Sequence, residues 1–259
     1  APQSGMPLRH SITGMLCIVI PVYNHAEALG ECLSSLCAQT VRPDRVVIVD
    51  DGSVDNPEPI ARAWENKLPI IFVRQENRGA AAARNRGFAV IARSVPDATK
   101  QSRDGEDFII FLDADITMRP DCLEKMQRAL DENTEASYAY CSFKFGFKTF
   151  ACGPFDPERL LQMPYIMTSS LIRVKNFPGF DESLKKFQDW DLWLTMLEHG
   201  KTGVWIPEIL LYAEPRKSGM SSWLPSFVHK IPWPLFGWMP REVRRYREAK
   251  RIIKEKHSL

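Results

Sequence analysis

Apolar residues along this chain fall into two alternating patterns. Short, almost continuous apolar runs occupy 16–23, 45–49, 68–74 and 108–112, and between them lie 26–39, 57–66 and 79–92, where apolar residues are spaced at helical intervals. Continuous runs of about four to eight residues bounded by turn residues predict strands buried on both faces, whereas helical spacing gathers the apolar residues on one stripe. In 26–39 that stripe is Leu29, Cys32, Leu33 and Leu36, and 79–92 is led by four alanines. Strand and helix in this order predict an α/β fold with a Rossmann-like, mostly parallel sheet flanked by helices. After 115 the rhythm changes to a helix at 120–130, partly alternating strands at 136–147 and 167–174, an amphipathic helix at 189–199, and strands at 202–206 and 209–213. The polar stretch 93–106 reads as a surface loop. With no internal repeat, the expected organisation is one two-part domain. A ligand-binding half, 15–117, is joined to a smaller mixed-strand half, 118–222, with an extension at 1–14 and a helical tail at 223–259.

Two of the predicted strands end in acidic pairs. Arg45-Val-Val-Ile-Val49 runs into Asp50 and Asp51, and Phe108-Ile-Ile-Phe-Leu112 runs into Asp113 and, one residue on, Asp115. Ligands of open α/β sheets bind just outside the carboxyl ends of the strands, so both pairs are expected to face one crevice. Clustered like charges cost solvation and repel, but they make good ligands for a hard divalent cation or for sugar hydroxyls. The combination predicts a metal-dependent site for a phosphorylated substrate.

Composition narrows the classes further. At 259 residues with 25% charged residues and a formal net charge of +2, the chain has no general nucleic-acid character. Its six cysteines form no CxxC pair and several fall at apolar element positions, which predicts reduced core thiols in a cytoplasmic protein and no structural zinc. The five histidines are scattered. No apolar stretch reaches the roughly 18 residues of a membrane span, and no signal-peptide pattern is present. The first 14 residues lack an initiator methionine and look partly foreign to the native chain, with Met6 or Met15 as a candidate start. Charge is uneven, however: 241–256 carries eight Lys/Arg against three Glu, just after Trp223, Trp233 and Trp238 interleaved with prolines. Aromatic and basic residues together suit an interfacial element, so 223–259 is a candidate peripheral contact with the cytoplasmic face of a membrane. The competing reading folds the tryptophans back on the domain and leaves the basic helix a solvated face.

The motifs carry a family resemblance. Pro21-Val-Tyr-Asn24, Ser35-Leu-x-x-Gln-Thr40, Val49-Asp-Asp-Gly-Ser-x-Asp55, Asn77-x-Gly-x-x-x-x-Arg-Asn85, Leu112-Asp-Ala-Asp115, Gly179-Phe-Asp-Glu182 and Gln188-Asp-Trp-Asp-Leu-Trp193 occur in the order seen in family 2 glycosyltransferases of the GT-A fold. The resemblance spans about 16–222 and implies sugar transfer from a nucleotide diphosphate donor, most readily a UDP-sugar, with Mn2+ or Mg2+ as cofactor. By the same resemblance Asp115 is the metal ligand, and Asp113 holds the ribose and supports the cation, with Ala114 between them. Asp51 accepts a hydrogen bond from the base and Asp50 shapes its turn. Tyr23 stacks on the base in a slot lined by Pro21 and Val22 and closed by Asn24. Asn77, Gly79 and Arg84 lie near ribose or phosphate, and Arg216 and Lys217 resemble a basic segment that covers the diphosphate.

Inverting transfer also needs a general base to take the proton of the attacking hydroxyl. Asp189 matches the family's base position, Asp191 competes with it, and Trp190 is a candidate for stacking on a saccharide or lipid-linked acceptor. Here Gln188 stands where the family usually has an acid, which is expected to leave Asp189 more acidic than in a Glu-Asp pair. The absence of a Q-x-x-R-W signature implies single additions. Two other classes compete. Phe111-Leu-Asp-Ala-Asp-Ile-Thr117 also fits the nucleophile motif of haloacid-dehalogenase phosphatases, with Asp113 as nucleophile and Asp115 as acid, but it follows three strands and the chain has no Gly-Asp dipeptide. Gln188 also admits a sugar-nucleotide-binding relative without turnover.

Overall fold

The computed structural model describes residues 14–94, 106–214 and 239–259. Its elements are β1 (Leu16–Val22), α1 (Ala26–Cys37), β2 (Arg45–Asp50), α2 (Glu58–Arg62), β3 (Ile70–Arg74), α3 (Ala80–Ser94), β4 (Phe108–Phe111), β5 (Ile116–Met118), α4 (Cys122–Glu132), β6 (Tyr138–Phe145), β7 (Lys148–Phe150), α5 (Pro157–Gln162), β8 (Leu171–Arg173), α6 (Gln188–Glu198), β9 (Gly203–Ala213) and α7 (Arg241–Lys256). One sheet runs through both halves in the order β3-β2-β1-β4-β8-β6-β9-β5, with β7 on β6. β3, β2, β1 and β4 are parallel. β8 then runs antiparallel to both β4 and β6, and β5 antiparallel to β9.

β1 shows why its run is apolar throughout. Leu16, Ile18, Ile20 and Val22 point into a core shared with Leu29, Leu33 and Leu36 of α1, whereas Cys17 and Val19 point into a second core lined by α3 and α6. Neither face meets water. The second core is close enough that a Cβ on Gly87 of α3 would lie 2.3 Å from Cγ1 of Val19. None of the six cysteines is in a disulfide, and every one except Cys37 is buried.

Several expected boundaries change. The strands expected at 202–206 and 209–213 are one strand, β9, whose pairing with β6 slips from Cys141↔Ile206 to Ser142↔Ile209. Pro207 lies in the slip, where a residue without an amide hydrogen leaves no gap in the ladder. The helix expected at 57–66 is only α2, followed by turns, and the strand at 167–174 shrinks to β8 and a 3-10 turn, Val174–Asn176. β5 and α5 escaped the periodicity because three and six residues are too few to show it. The boundary drawn at 117/118 falls inside β5.

In the described part of the tail one side of α7 packs on the domain: Val243 and Ile253 are fully buried, and Tyr246 meets the ring of Phe187 edge-on at 5.1 Å. The apolar stripe that would enter a membrane is packed beside α6. Trp223, Trp233 and Trp238, like Arg216, Lys217, 1–13 and most of the 93–106 loop, lie outside the described residues.

Candidate active site

β1, β2 and β4 end side by side, and the loops that follow them are stapled together. Asp50, the last residue of β2, pairs in register with Arg74 of β3; its Oδ1 accepts from Ser53 N at 2.8 Å, and Arg74 Nη1 lies 3.5 Å from Oδ2. Asp50 thus ties the end of β2 to the turn that follows it. Asp51 is held by its own amide, which donates to Val22 O at 2.8 Å. Its carboxylate accepts from Gly79 N at 2.8 Å, Arg78 N at 2.9 Å and Gln75 Nε2 at 2.8 Å. A carboxylate offers about four acceptor positions, so Asp51 first of all fixes the 75–79 loop that carries Asn77 and Gly79. That loop approaches so closely that a Cβ on Gly52, whose φ is +78°, would stand 3.0 Å from Asn77 N.

Tyr23 stands open, 49% exposed, at the end of β1. Asn24 beside it is left-handed (φ 55°), donates from N to Ser53 Oγ at 3.0 Å and accepts from Val54 N on Oδ1 at 2.9 Å. Asp55 Oδ2 accepts from Ala26 N at 2.8 Å and so caps α1 from a different loop, since His25 makes no side-chain cap. Its motif position, five residues after Asp50, was visible in the sequence, but its partner was not. Two expected contacts are corrected: the side chains of Val22 and Ala114 are 1% and 4% exposed and belong to the core, so neither presents a side chain to a ligand.

The second acidic pair meets the second half of the chain through Arg84. This arginine is buried, donates from Nη2 to Asp113 Oδ1 at 2.6 Å and from Nη1 to Gln188 Oε1 at 2.9 Å. Its side chain is thus a bridge rather than an open phosphate ligand, a pairing that no motif spacing announces. Asp113 and Asp115 remain partly exposed at the crevice. Beneath them burial, with the charges of Asp115 and Asp113, pushes the Cys32 thiol far above its usual range, so it stays protonated and is no thiolate ligand. Asn85 and Arg78 explain the Gly179-Phe-Asp-Glu182 motif: Asn85 exchanges hydrogen bonds with the backbone of Phe180, and Arg78 pairs with Glu182 at 2.9 Å.

Asp189 sits in the first turn of α6, next to Gln188, and accepts from Trp190 N at 2.9 Å. The helix starts one residue earlier than expected, after the left-handed Phe187, so Asp189 is not its N-cap. Although part of its surface is reached by solvent, burial raises Asp189 above the usual aspartate range. The Trp190 amide and Arg84 pull it down, and Asp113 adds to the rise. Burial therefore outweighs the acidity expected from the neutral Gln188. Asp191 is corrected as a base: it is 3% exposed and held by Lys256 Nζ at 2.7 Å and His257 Nε2 at 2.9 Å. Trp190 is corrected as an acceptor platform, because its ring is 0% exposed and its Nε1 donates to Leu160 O at 2.6 Å.

Among the described residues no three of His, Cys, Asp and Glu gather as a ready-made metal cluster. The chain's own contribution would be one or two carboxylates, Asp115 and Asp113. Hard oxygen donors in that number fit Mg2+ or Mn2+ completed by phosphate oxygens and water.

The sequence profile described as Glycosyl transferase family 2 matches residues 17–184. An uncharacterized glycosyltransferase of Escherichia coli (strain K12), YibD, is 32% identical over 138 residues, covering 52% of this chain and 36% of that protein. One from Haemophilus influenzae is 29% identical over 200 residues, covering 71% and 62%. The chain thus matches between about a third and three fifths of the length of these relatives. Among solved structures, S. aureus TarS in complex with UDP-GlcNAc superposes with a TM-score of 0.62 at 21% identity, over 82% of this chain and 62% of that one. The mannosyltransferase PcManGT from Pyrobaculum calidifontis, in complex with GDP-Man and Mn2+, gives 0.57 at 18%, over 79% and 58%. At such identities the likeness is one of fold, the GT-A type.

Proposed function

The chain belongs to glycosyl transferase family 2, and on that premise we propose that it is an inverting, metal-dependent enzyme. It moves one sugar from a nucleoside diphosphate donor, UDP-linked by preference, to a hydroxyl of a glycan or lipid-linked acceptor. The observation that carries this reading is the bridge Asp113–Arg84–Gln188, which sets the acidic pair of β4 beside the half-buried Asp189. Donor-side and base-side carboxylates thereby share one crevice, as transfer requires. The open ring of Tyr23 stacks on the base, with Pro21 at its side, and the Asp51 carboxylate, which has one acceptor position beyond its three partners, accepts from the base edge. Asn77 and Gly79, on the loop that Asp51 fixes, approach ribose and phosphate. A bound divalent cation would neutralise the departing diphosphate, with Asp115 as its ligand and Asp113 in support. Asp189 takes the proton of the acceptor hydroxyl. Neighbours whose complexes contain UDP-GlcNAc or GDP-Man with Mn2+ support this donor class.

The test is release of nucleoside diphosphate from UDP-GlcNAc, UDP-glucose and GDP-mannose, with Mn2+ or with chelator. Turnover of one donor that chelator abolishes is expected. Equal turnover in chelator would overturn metal dependence, and hydrolysis of phosphate monoesters instead of donors would restore the phosphatase reading.

No helix among the described residues is long and apolar enough to cross a membrane. Peripheral contact is read instead from the outer side of α7, where Arg241, Arg244, Arg245 and Arg251 are exposed. Each basic residue near an anionic surface is worth about 1 kcal/mol. Reversing Arg244 and Arg245 to Glu is therefore expected to release the protein from phosphatidylserine vesicles in a pelleting assay. Unchanged pelleting would remove the membrane from this proposal.

A further inference from the structure

α7 touches the start of α6 at three successive points. Tyr246 packs on Phe187 at 5.1 Å, Lys250 lies over the Trp190 ring at 5.8 Å, and Lys256 with His257 closes on Asp191. Phe187 on one side and Trp190 and Asp191 on the other flank Gln188 and Asp189. Phe187 has φ 59°, a left-handed conformation that a bulky residue keeps only when its surroundings hold it there. The Tyr246 and Trp190 rings, the latter at 5.7 Å, do so.

The polar end of the contact is equally determined. His257 is almost wholly buried, with Nε2 2.9 Å from Asp191 Oδ1 and Nδ1 2.7 Å from Glu198 Oε1. Ionised carboxylates only accept, so the ring satisfies both when both nitrogens carry hydrogen. Lys256 Nζ reaches Asp191 Oδ1 and Asp181 Oδ2, each at 2.7 Å. The hydrogen bond from Lys256, with those from Ser183, holds the Asp181 carboxyl down to about 2. Asp181 belongs to the Gly179-Phe-Asp-Glu182 motif that is tied to α3, so Lys256 joins α6 to the donor side of the crevice.

We propose that Lys256 and His257 are positioning residues for the transfer reaction: through Asp191 they fix the first turn of α6 and hence the place of Asp189. This rests on Asp189 being the base. Asp189 is faced by Arg84 and Asp113, and Asp191 by Lys256 and His257. Removing Lys256 or His257 frees Asp191 and with it the first turn of α6. The resulting loss of register is costly, since a displacement of about 1 Å at a reacting group can cost about 100-fold in rate.

The experiment compares the wild type with Lys256→Met, His257→Gln and Lys256→Arg in the full chain. The readouts are turnover of whichever donor among UDP-GlcNAc, UDP-glucose and GDP-mannose the wild type uses fastest, calorimetric affinity for that donor, and thermal midpoint. Lys256→Met and His257→Gln should lower kcat by about 10- to 100-fold with donor affinity nearly unchanged. Lys256→Arg should restore kcat. A wild-type kcat in both variants overturns the proposal, as does a loss of kcat matched by an equal loss of donor affinity. Asp189→Asn in the same assay separates the premise: full turnover there sinks the base assignment itself.

Discussion

Asp189→Asn is expected to lower turnover by about two to four orders of magnitude, the usual contribution of a positioned general base, while donor affinity stays near that of the wild type. The amide keeps the shape of the side chain and can still accept from the Trp190 amide, so only proton uptake is lost. The wild-type pH profile should show the same group. Burial raises Asp189, so activity should fall as pH drops through a value above the roughly 3.9 of an unperturbed aspartate. Stability should respond with the opposite sign. An aspartate whose folded pKa is raised makes the folded state less stable once it ionises. That penalty is fully present above the folded pKa and disappears as pH falls to the unfolded value. The variant should therefore melt at a higher temperature than the wild type at neutral pH, and the gap should close on acidification. A variant that is inactive but no more stable at neutral pH would contradict the burial of an ionised base. One that remains active would contradict the base itself.

Asp115→Ala is expected to have the second largest effect, a loss of about 100- to 1,000-fold in kcat/KM, because cation-borne charge stabilisation is worth several kcal/mol. Asp113 is paired with Arg84 at 2.6 Å, and Asp115 follows it at the entry to β5, whose pairing with β9 fixes the backbone there. Mn2+ should strengthen donor binding to the wild type in calorimetry and leave binding to the variant unchanged. An equal gain in both proteins would remove Asp115 as the metal ligand. The fold should tolerate the change, since Asp115 lies at the partly exposed mouth of the crevice rather than in either core.

Legibility in the sequence followed the range of the interaction. β1, β2 and β4 were readable because burial on both faces demands an apolar residue at every position, and α1 because one buried face demands helical spacing. β5 and α5 were not, because three and six residues hold too little periodicity. β9 read as two strands because Pro207 breaks the local pattern, and only its pairing with β6 shows the chain continuing through a bulge. Within the site, the glycines and aspartates at strand ends marked the crevice. Asp51 as brace of the 75–79 loop, Asp55 as cap of α1 and Arg84 as bridge from Asp113 to Gln188 each join residues at least 20 positions apart. No motif spacing specifies such a partner.

The sequence by itself determined which residue types stand at the carboxyl ends of the strands, since those positions follow from hydrophobic runs and the turns that end them. It also carried the ordered motifs from Pro21 to Trp193 that mark the family. Only the tertiary structure decided which carboxylates face the crevice and which belong to the scaffold. Asp189 and Asp191 are two residues apart on one helix, equivalent in composition and in sequence pattern. The rotation of α6 turns Asp191 toward Lys256 and His257 and leaves Asp189 beside Arg84, because α7, from the far end of the chain, packs on one side of that helix.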